Sequence, residues 1–188
     1  DWDNPFWTNK QHVACSLAEK GYRVFYINSM GLRTPTATGR DINRMLRKLK
    51  KLFQKPKRVR SNIIVYSPVV VPGKLSLLMK SISRILFNIY FNFWNMCYSN
   101  KKNILWSYSP VTLDIMKLNQ FDQVIYHCVD EYKDHPLIDE HYIASAEPDF
   151  VKKADFVFCT SKKLFADRKK VNPQTYYHSN VVDFTHFS

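Results

Sequence analysis

The sequence predicts an α/β protein: a Rossmann-like open parallel sheet with helices on both faces. Three observations lead there. Short runs rich in Val, Ile, Phe and Tyr recur along the chain, and each is followed by a stretch with helical spacing. Strands of that composition alternating with helices build a parallel sheet covered on both sides. Finally, 188 residues with 45% hydrophobic and 23% charged side chains can bury one ordinary globular core, so the chain is expected to be a single domain.

The elements follow in order. Asp1-Trp2-Asp3-Asn4-Pro5-Phe6-Trp7-Thr8 is a polar and aromatic loop feeding a helix at 9–20. A strand at 23–28 comes next, then a loop at 31–39 rich in Thr, Pro and Gly. Residues 41–54 have the spacing of a basic amphipathic helix, with Ile42, Met45, Leu46, Leu49, Leu52 and Phe53 on one face. A strand at 62–67 ends before Pro68, Pro72 and Gly73, and a long apolar helix runs over 74–98. Strand 103–108 is stopped by Pro110 and followed by a short helix at 111–118. Strand 123–128 leads into the acidic loop Val129-Asp130-Glu131-Tyr132; helix 139–153, strand 155–160, helix 161–171 and strand 175–178 complete the chain.

Right-handed crossovers place the C-terminal ends of parallel strands, and the loops after them, on one edge where ligands bind. The loops at 29–39, 67–73, 108–111, 128–136, 160–162 and 178–183 are expected there. A doubly wound domain that opens at Asp1 lacks its usual central first strand. The expectation is a native chain that extends N-terminally by at least one apolar strand.

The bulk numbers exclude some functions. With four glycines there is no GxGxxG and no GxxxxGK[ST] loop. Cys15, Cys97, Cys128 and Cys159 form no CxxC pair, a pattern of buried free thiols in a reducing compartment. No His, Asp or Cys cluster has metal-ligand spacing, so no metal is expected. The net charge of +12 is local: residues 40–60 hold ten Lys or Arg against Asp41 alone. Arg44, Arg47, Lys48 and Lys51 flank the apolar face of the 41–54 helix, which fits an anionic membrane surface or, more blandly, a solvated basic face. No nucleic-acid motif accompanies the charge. Residues 85–97 are apolar, yet Asn88, Asn92 and Asn95 interrupt them, and Lys80 and Arg84 cut the run short of the roughly 20 residues a span needs. A mostly buried helix, or one that dips into a membrane interface, is expected.

Several stretches carry a family likeness. Asp1-Trp2-Asp3, Pro5-Phe6-Trp7-Thr8 and Gln11-His12, followed by Leu17-Ala18, Gly21-Tyr22-Arg23-Val24, Tyr26-Ile27-Asn28 and Gly31-Leu32-Arg33, resemble the start of bacterial group 1 glycosyltransferases. The type most similar is that of teichuronic acid and exopolysaccharide assembly. Ile104-Leu105-Trp106-Ser107-Tyr108-Ser109-Pro110 and Val124-Ile125-Tyr126-His127-Cys128-Val129-Asp130-Glu131-Tyr132 are similar to later strands of that family. Ala154-Asp155-Phe156-Val157-Phe158-Cys159-Thr160-Ser161 resembles its A-D-x-V-x-x-x-S strand, and Ser179-Asn180-Val181-Val182-Asp183-Phe184-Thr185-His186-Phe187 its P-N-G-V-D-x-x-x-F hinge. Two positions depart: Val181 stands where the family has Gly, and His127 where an acid is common.

The resemblance implies the N-terminal, acceptor-binding half of a retaining, metal-independent GT-B enzyme of the cell envelope. It implies a hinge near 179–188, through Asn180 and Asp183, to a donor-binding domain that this chain does not contain. A nucleotide sugar, UDP-sugar first among them, would be a substrate rather than a cofactor. The acceptor would be lipid-linked or a polysaccharide, and the enzyme cytoplasmic and peripheral on the inner membrane face. The fragment alone would be inactive. The rival expectation is a non-catalytic Rossmann-like module that docks on membranes or a partner.

Within that frame, Asp130 and Glu131 follow a strand end and can orient or deprotonate an acceptor hydroxyl; a solvated acidic loop or a helix cap is the plainer alternative. His127, in the strand before them, is a candidate catalytic residue or a core histidine. Asp3, Trp7, Thr8, Gln11 and His12 form the candidate acceptor-binding loop, with Trp7 stacking on a sugar and Asp3 taking hydroxyls; a self-packed aromatic loop is the alternative.

Overall fold

All six expected strands form, and a seventh joins them. The computed structural model describes residues 2–28, 55–67, 76–98, 101–110, 112–132 and 140–180. The basic segment with Arg44, Arg47, Lys48 and Lys51, the loop 31–39, and Val181 and Asp183 of the hinge lie outside the described residues. The chain divides into two compact units, Asp1–Cys97 and Tyr98–Ser188.

In the first unit, helix α1 (Asn9–Glu19) leads into β1 (Val24–Ile27), and β2 (Lys57–Arg60) precedes β3 (Ile63–Tyr66). The sheet order is β1-β3-β2, with β1 parallel and β2 antiparallel to β3. Alternation decides which helix each side chain meets. Val24, Tyr26, Ile63 and Val65 pack with Ala14, Cys15 and Ala18 of α1 and with Trp2. Phe25 and Tyr66 point the other way, onto Trp94 and Tyr90 of α2 (Ser76–Cys97) at ring separations of 5.4 and 5.1 Å. One helix on each face covers this small sheet. Helix α1 ends where Gly21 takes φ +86°, letting the Tyr22 and Gly21 amides donate to Leu17 and Ala18 carbonyls and close the last turn.

Two expectations change here. β2 was not foreseen, because Lys57, Arg58 and Arg60 leave Val59 as its one apolar residue. It forms because it is an edge strand, where charged side chains keep water and a hairpin turn at 61–62 supplies the register. Helix α2 is not mostly buried. Phe87 and Phe91 are buried, but Ile85, Ile89, Phe93 and Met96 are exposed and fall on one stripe, and Cys97 is exposed where a buried thiol was expected. Strands four residues long engage only one side of a 22-residue helix.

The second unit holds β4 (Ile104–Ser107), β5 (Gln123–Cys128), β6 (Phe156–Cys159) and β7 (Thr175–Tyr177), with α3 (Glu140–Lys153) before β6 and α4 (Lys162–Lys169) after it. The four strands form one all-parallel sheet in the order β4-β5-β6-β7. This is the Rossmann-like open sheet the alternating pattern predicts. One face carries Leu105, Val124, Tyr126, Cys128, Val157 and Cys159, all buried, beneath Ile143, Phe150 and Val151 of α3 and Leu164 of α4. Each such Phe, Ile or Leu contributes about 1.5–3 kcal/mol by leaving water. The opposite face is aromatic: Trp106, His127 and Phe158 sit side by side on neighbouring strands, with Tyr176 beyond.

The short helix expected at 111–118 is instead two 3-10 turns, Thr112–Asp114 and Leu118–Gln120. Side-chain bonding explains it. Thr112 Oγ1 donates to the Ser109 carbonyl (2.7 Å), and the Ser109 amide donates to Ser107 Oγ (3.1 Å). Such local bonds offer the backbone an alternative to a regular helix.

Candidate functional site

Each unit presents strand C-termini at an edge, and the candidate residues gather there in two groups. In the first unit β1 and β3 run parallel, so Asn28 and Ser67 emerge side by side. Asn28 ties the opening loop to both strands: Oδ1 accepts the Trp2 amide (2.7 Å) and Nδ2 donates to Ser67 Oγ (2.9 Å). A small open cleft lies at this corner, and Trp2, Asp3, Asn28, Lys55, Lys57 and Ser67 are among the residues that line it. Lys57 reaches it because β2 runs antiparallel, which sets Lys57 opposite Val65 near the end of β3.

Of the residues expected in the opening loop, Asp3 alone lines that cleft. Trp7 packs against Trp2 and His12 with ring centroids 5.6 Å apart in each pair, and the Arg60 guanidinium lies 5.6 Å over its ring. Thr8 and Gln11 are used by one another: the Thr8 amide and hydroxyl donate to Gln11 Oε1 at 3.0 and 2.8 Å, and Gln11 is buried. They cap α1. His12 is exposed on α1, edge-on to Trp7.

In the second unit the loops after β4, β5 and β6 are bound together. Thr160 Oγ1 donates to the Val129 carbonyl (3.1 Å), and Tyr132 OH to the Tyr108 carbonyl (3.0 Å). Glu131 is gripped by Arg168 of α4 through a two-pronged pair at 2.9 and 3.2 Å. The same guanidinium donates to Glu147 of α3 (2.9 Å), whose other oxygen accepts Tyr126 OH (2.7 Å) and, more weakly, the Cys128 thiol (3.6 Å). Burial pulls the Arg168 pKa down, but hydrogen bonds and charge from Glu131 and Glu147 outweigh it and hold it above the ordinary value. Burial and the adjoining Cys128 and Glu147 push Tyr126 well up. Both Glu131 oxygens are thus committed within the protein, which gives this residue a loop-fixing role. Asp130, between Val129 and Glu131, is exposed, and among the described residues its carboxylate has no hydrogen-bond or ion partner.

His127 lies on the aromatic face. Trp106 Nε1 donates to its Nδ1 (3.3 Å), the Tyr108 ring sits 4.7 Å away and Phe158 flanks it. An imidazole whose Nδ1 accepts carries its proton on Nε2, so His127 offers a donor rather than a free base. Burial, with His178 adding like charge, lowers its pKa from 6.5 to about 4. The folded state therefore resists the proton that the unfolded chain accepts. Stability contributed by neutral His127 is complete above pH 6.5, falls as pH drops through the window to about 4, and levels off below it. His127→Gln is expected to remove roughly 1–3 kcal/mol of that pH dependence, read from urea midpoints between pH 7 and 4.5. Superimposable profiles for parent and variant would exclude this account.

Ser109 Oγ is buried at the same edge and, among the described residues, has no hydrogen-bond partner. Asn180 is exposed beyond β7. No group of three or more His, Cys, Asp or Glu among the described residues is placed to hold a metal ion. No family model matches the chain, and no curated protein matches it.

Proposed function

We propose that this chain is the acceptor-binding part of a retaining glycosyltransferase that moves a sugar from a nucleotide sugar, UDP-sugar foremost, to a lipid-linked or polysaccharide acceptor of the cell envelope. The observation that carries the reading is Asp130: a carboxylate without a partner among the described residues, held at the C-terminal edge of a parallel sheet by bonds to the residues on both sides of it. Six stretches in the order of group 1 glycosyltransferases support it. Asp130 would take the acceptor hydroxyl proton, and His127 Nε2 would donate to a sugar oxygen. Donor recognition would fall mainly to a second domain, which the resemblance implies. The enzyme would work on the cytoplasmic face of the membrane. The test is transfer of labelled sugar by the full-length protein to lipid extracts and glycans; no transfer from any nucleotide sugar overturns the reading.

The second reading, a non-catalytic docking module, is favoured by the exposed stripe Ile85, Ile89, Phe93 and Met96 on α2. Among the described residues no helix is long and apolar enough to cross a membrane, so the stripe would lie in the interface. Anionic vesicles are expected to sediment the protein, with binding weakened by salt as each cation contributes about 1 kcal/mol. Ile89→Ser with Phe93→Ser should reduce that binding. Equal binding to neutral vesicles, or no effect of the double substitution, argues against a membrane-facing stripe.

A further inference from the structure

We propose that the cleft at the ends of β1 and β3 is an anion site, built to hold the phosphate groups of a ligand that also carries hydroxyls. The charge of the molecule is confined to the unit that contains it. Residues 1–97 hold seventeen Lys or Arg against four acids, while 98–188 hold eleven against twelve. Between Asp41 and Asp114 no acid occurs at all, and fourteen Lys or Arg do. An anion meets this unit in a field that favours it before any contact forms.

The cleft then supplies specific groups. Lys55 and Lys57 both line it, and among the described residues neither has an ion-pair partner. A lysine ammonium binds phosphate as a point charge, and two of them suit a diphosphate. Ser67 Oγ accepts from Asn28, which leaves its own O–H proton for an anion, and Asn28 Nδ2 keeps a second N–H. Among the described residues Asp3 is the one acid on the lining; it repels a bare polyanion and accepts from hydroxyls, so it selects a phosphate that arrives with a sugar or alcohol. Solvated lysines that merely guard an edge strand would be the plainer account. Against it, these two converge on a concave corner with oriented polar groups, at the strand ends where open α/β sheets take ligands.

The identity of the ligand rests on the acceptor reading: a lipid-linked acceptor presents such phosphates beside its sugar. The anion site itself does not depend on that reading. Calorimetric titration of the full-length protein with inorganic pyrophosphate, and with a prenyl diphosphate in neutral detergent micelles, tests it. Both probes are expected to bind, more weakly as salt rises. Lys55→Ala with Lys57→Ala should weaken both by roughly tenfold or more, while Lys55→Arg with Lys57→Arg retains them. Asp3→Asn should tighten inorganic pyrophosphate, because it removes a repelling charge from the lining. Tighter binding of the prenyl compound assigns the site to a lipid headgroup, and equal binding to a free anion; either supports it. A folded protein that ignores pyrophosphate, or a double alanine variant that binds like the parent, overturns it. A protein that transfers sugar yet ignores pyrophosphate loses this cleft alone, and one that binds pyrophosphate but transfers nothing loses only the transferase reading.

Discussion

Replacing Arg168 by Met should destabilise the second unit by about 3–5 kcal/mol, the largest stability effect expected of any single substitution in it. The guanidinium side chain is 11% exposed, and its partners Glu131 and Glu147 are 13% and 7% exposed. Removing the cation leaves two carboxylates away from water without their counter-charge. That cost is the desolvation of the orphans rather than the worth of the pair, which identifies the control. Combining Arg168→Met with Glu147→Gln should recover part of the loss, because one orphan becomes neutral while its amide oxygen still accepts from Tyr126 OH. Arg168→Lys keeps the charge but cannot fork across both Glu131 oxygens, so an intermediate loss is expected. Denaturant midpoints measure all three. A fully additive double variant would show that the network is not coupled.

That network marks a limit on what the sequence made legible. Each strand of the parallel sheet could be read from a local run of aliphatic and aromatic residues, because one face is buried under helices and the other is mostly aromatic. The partners of Glu131 and Glu147 could not. Arg168 stands 37 residues from one and 21 from the other, and only the packing of α3 and α4 over β5 and β6 brings them together. Glu131 therefore looked available for substrate when it is held. The corner cleft was hidden for the same reason: Asn28, Lys55, Lys57 and Ser67 meet through strand pairing. Thr8 and Gln11 are a different lesson. Their spacing is itself a capping signature, and it lies in plain sight before the helix. Position in a ligand-facing loop outweighed it, and the structure shows the two side chains closing the helix end.

On the proposed glycosyltransferase reading, Asp130→Asn is expected to lower kcat by about 10²–10⁴-fold, the usual contribution of a positioned acid or base. The substitution keeps shape and one acceptor oxygen and removes both the negative charge and the capacity to take a proton. Stability should move by less than about 0.5 kcal/mol, since the side chain is exposed and has no partner to lose among the described residues. Nucleotide-sugar binding should be unchanged, because the role proposed for the carboxylate is on the acceptor. Glu131→Gln provides the contrast. It weakens the fork to Arg168, so it should lower stability and disturb kcat only through the position of the loop, with partial rescue by added glycerol or lower temperature. The loop is fixed on one side by Thr160 on the Val129 carbonyl and on the other by Arg168 on Glu131, so Asp130 needs little reorganisation to meet a hydroxyl. If Asp130→Asn turns over like the parent, the carboxylate has no part in the chemistry. If it loses stability in step with activity, its role is to hold the loop.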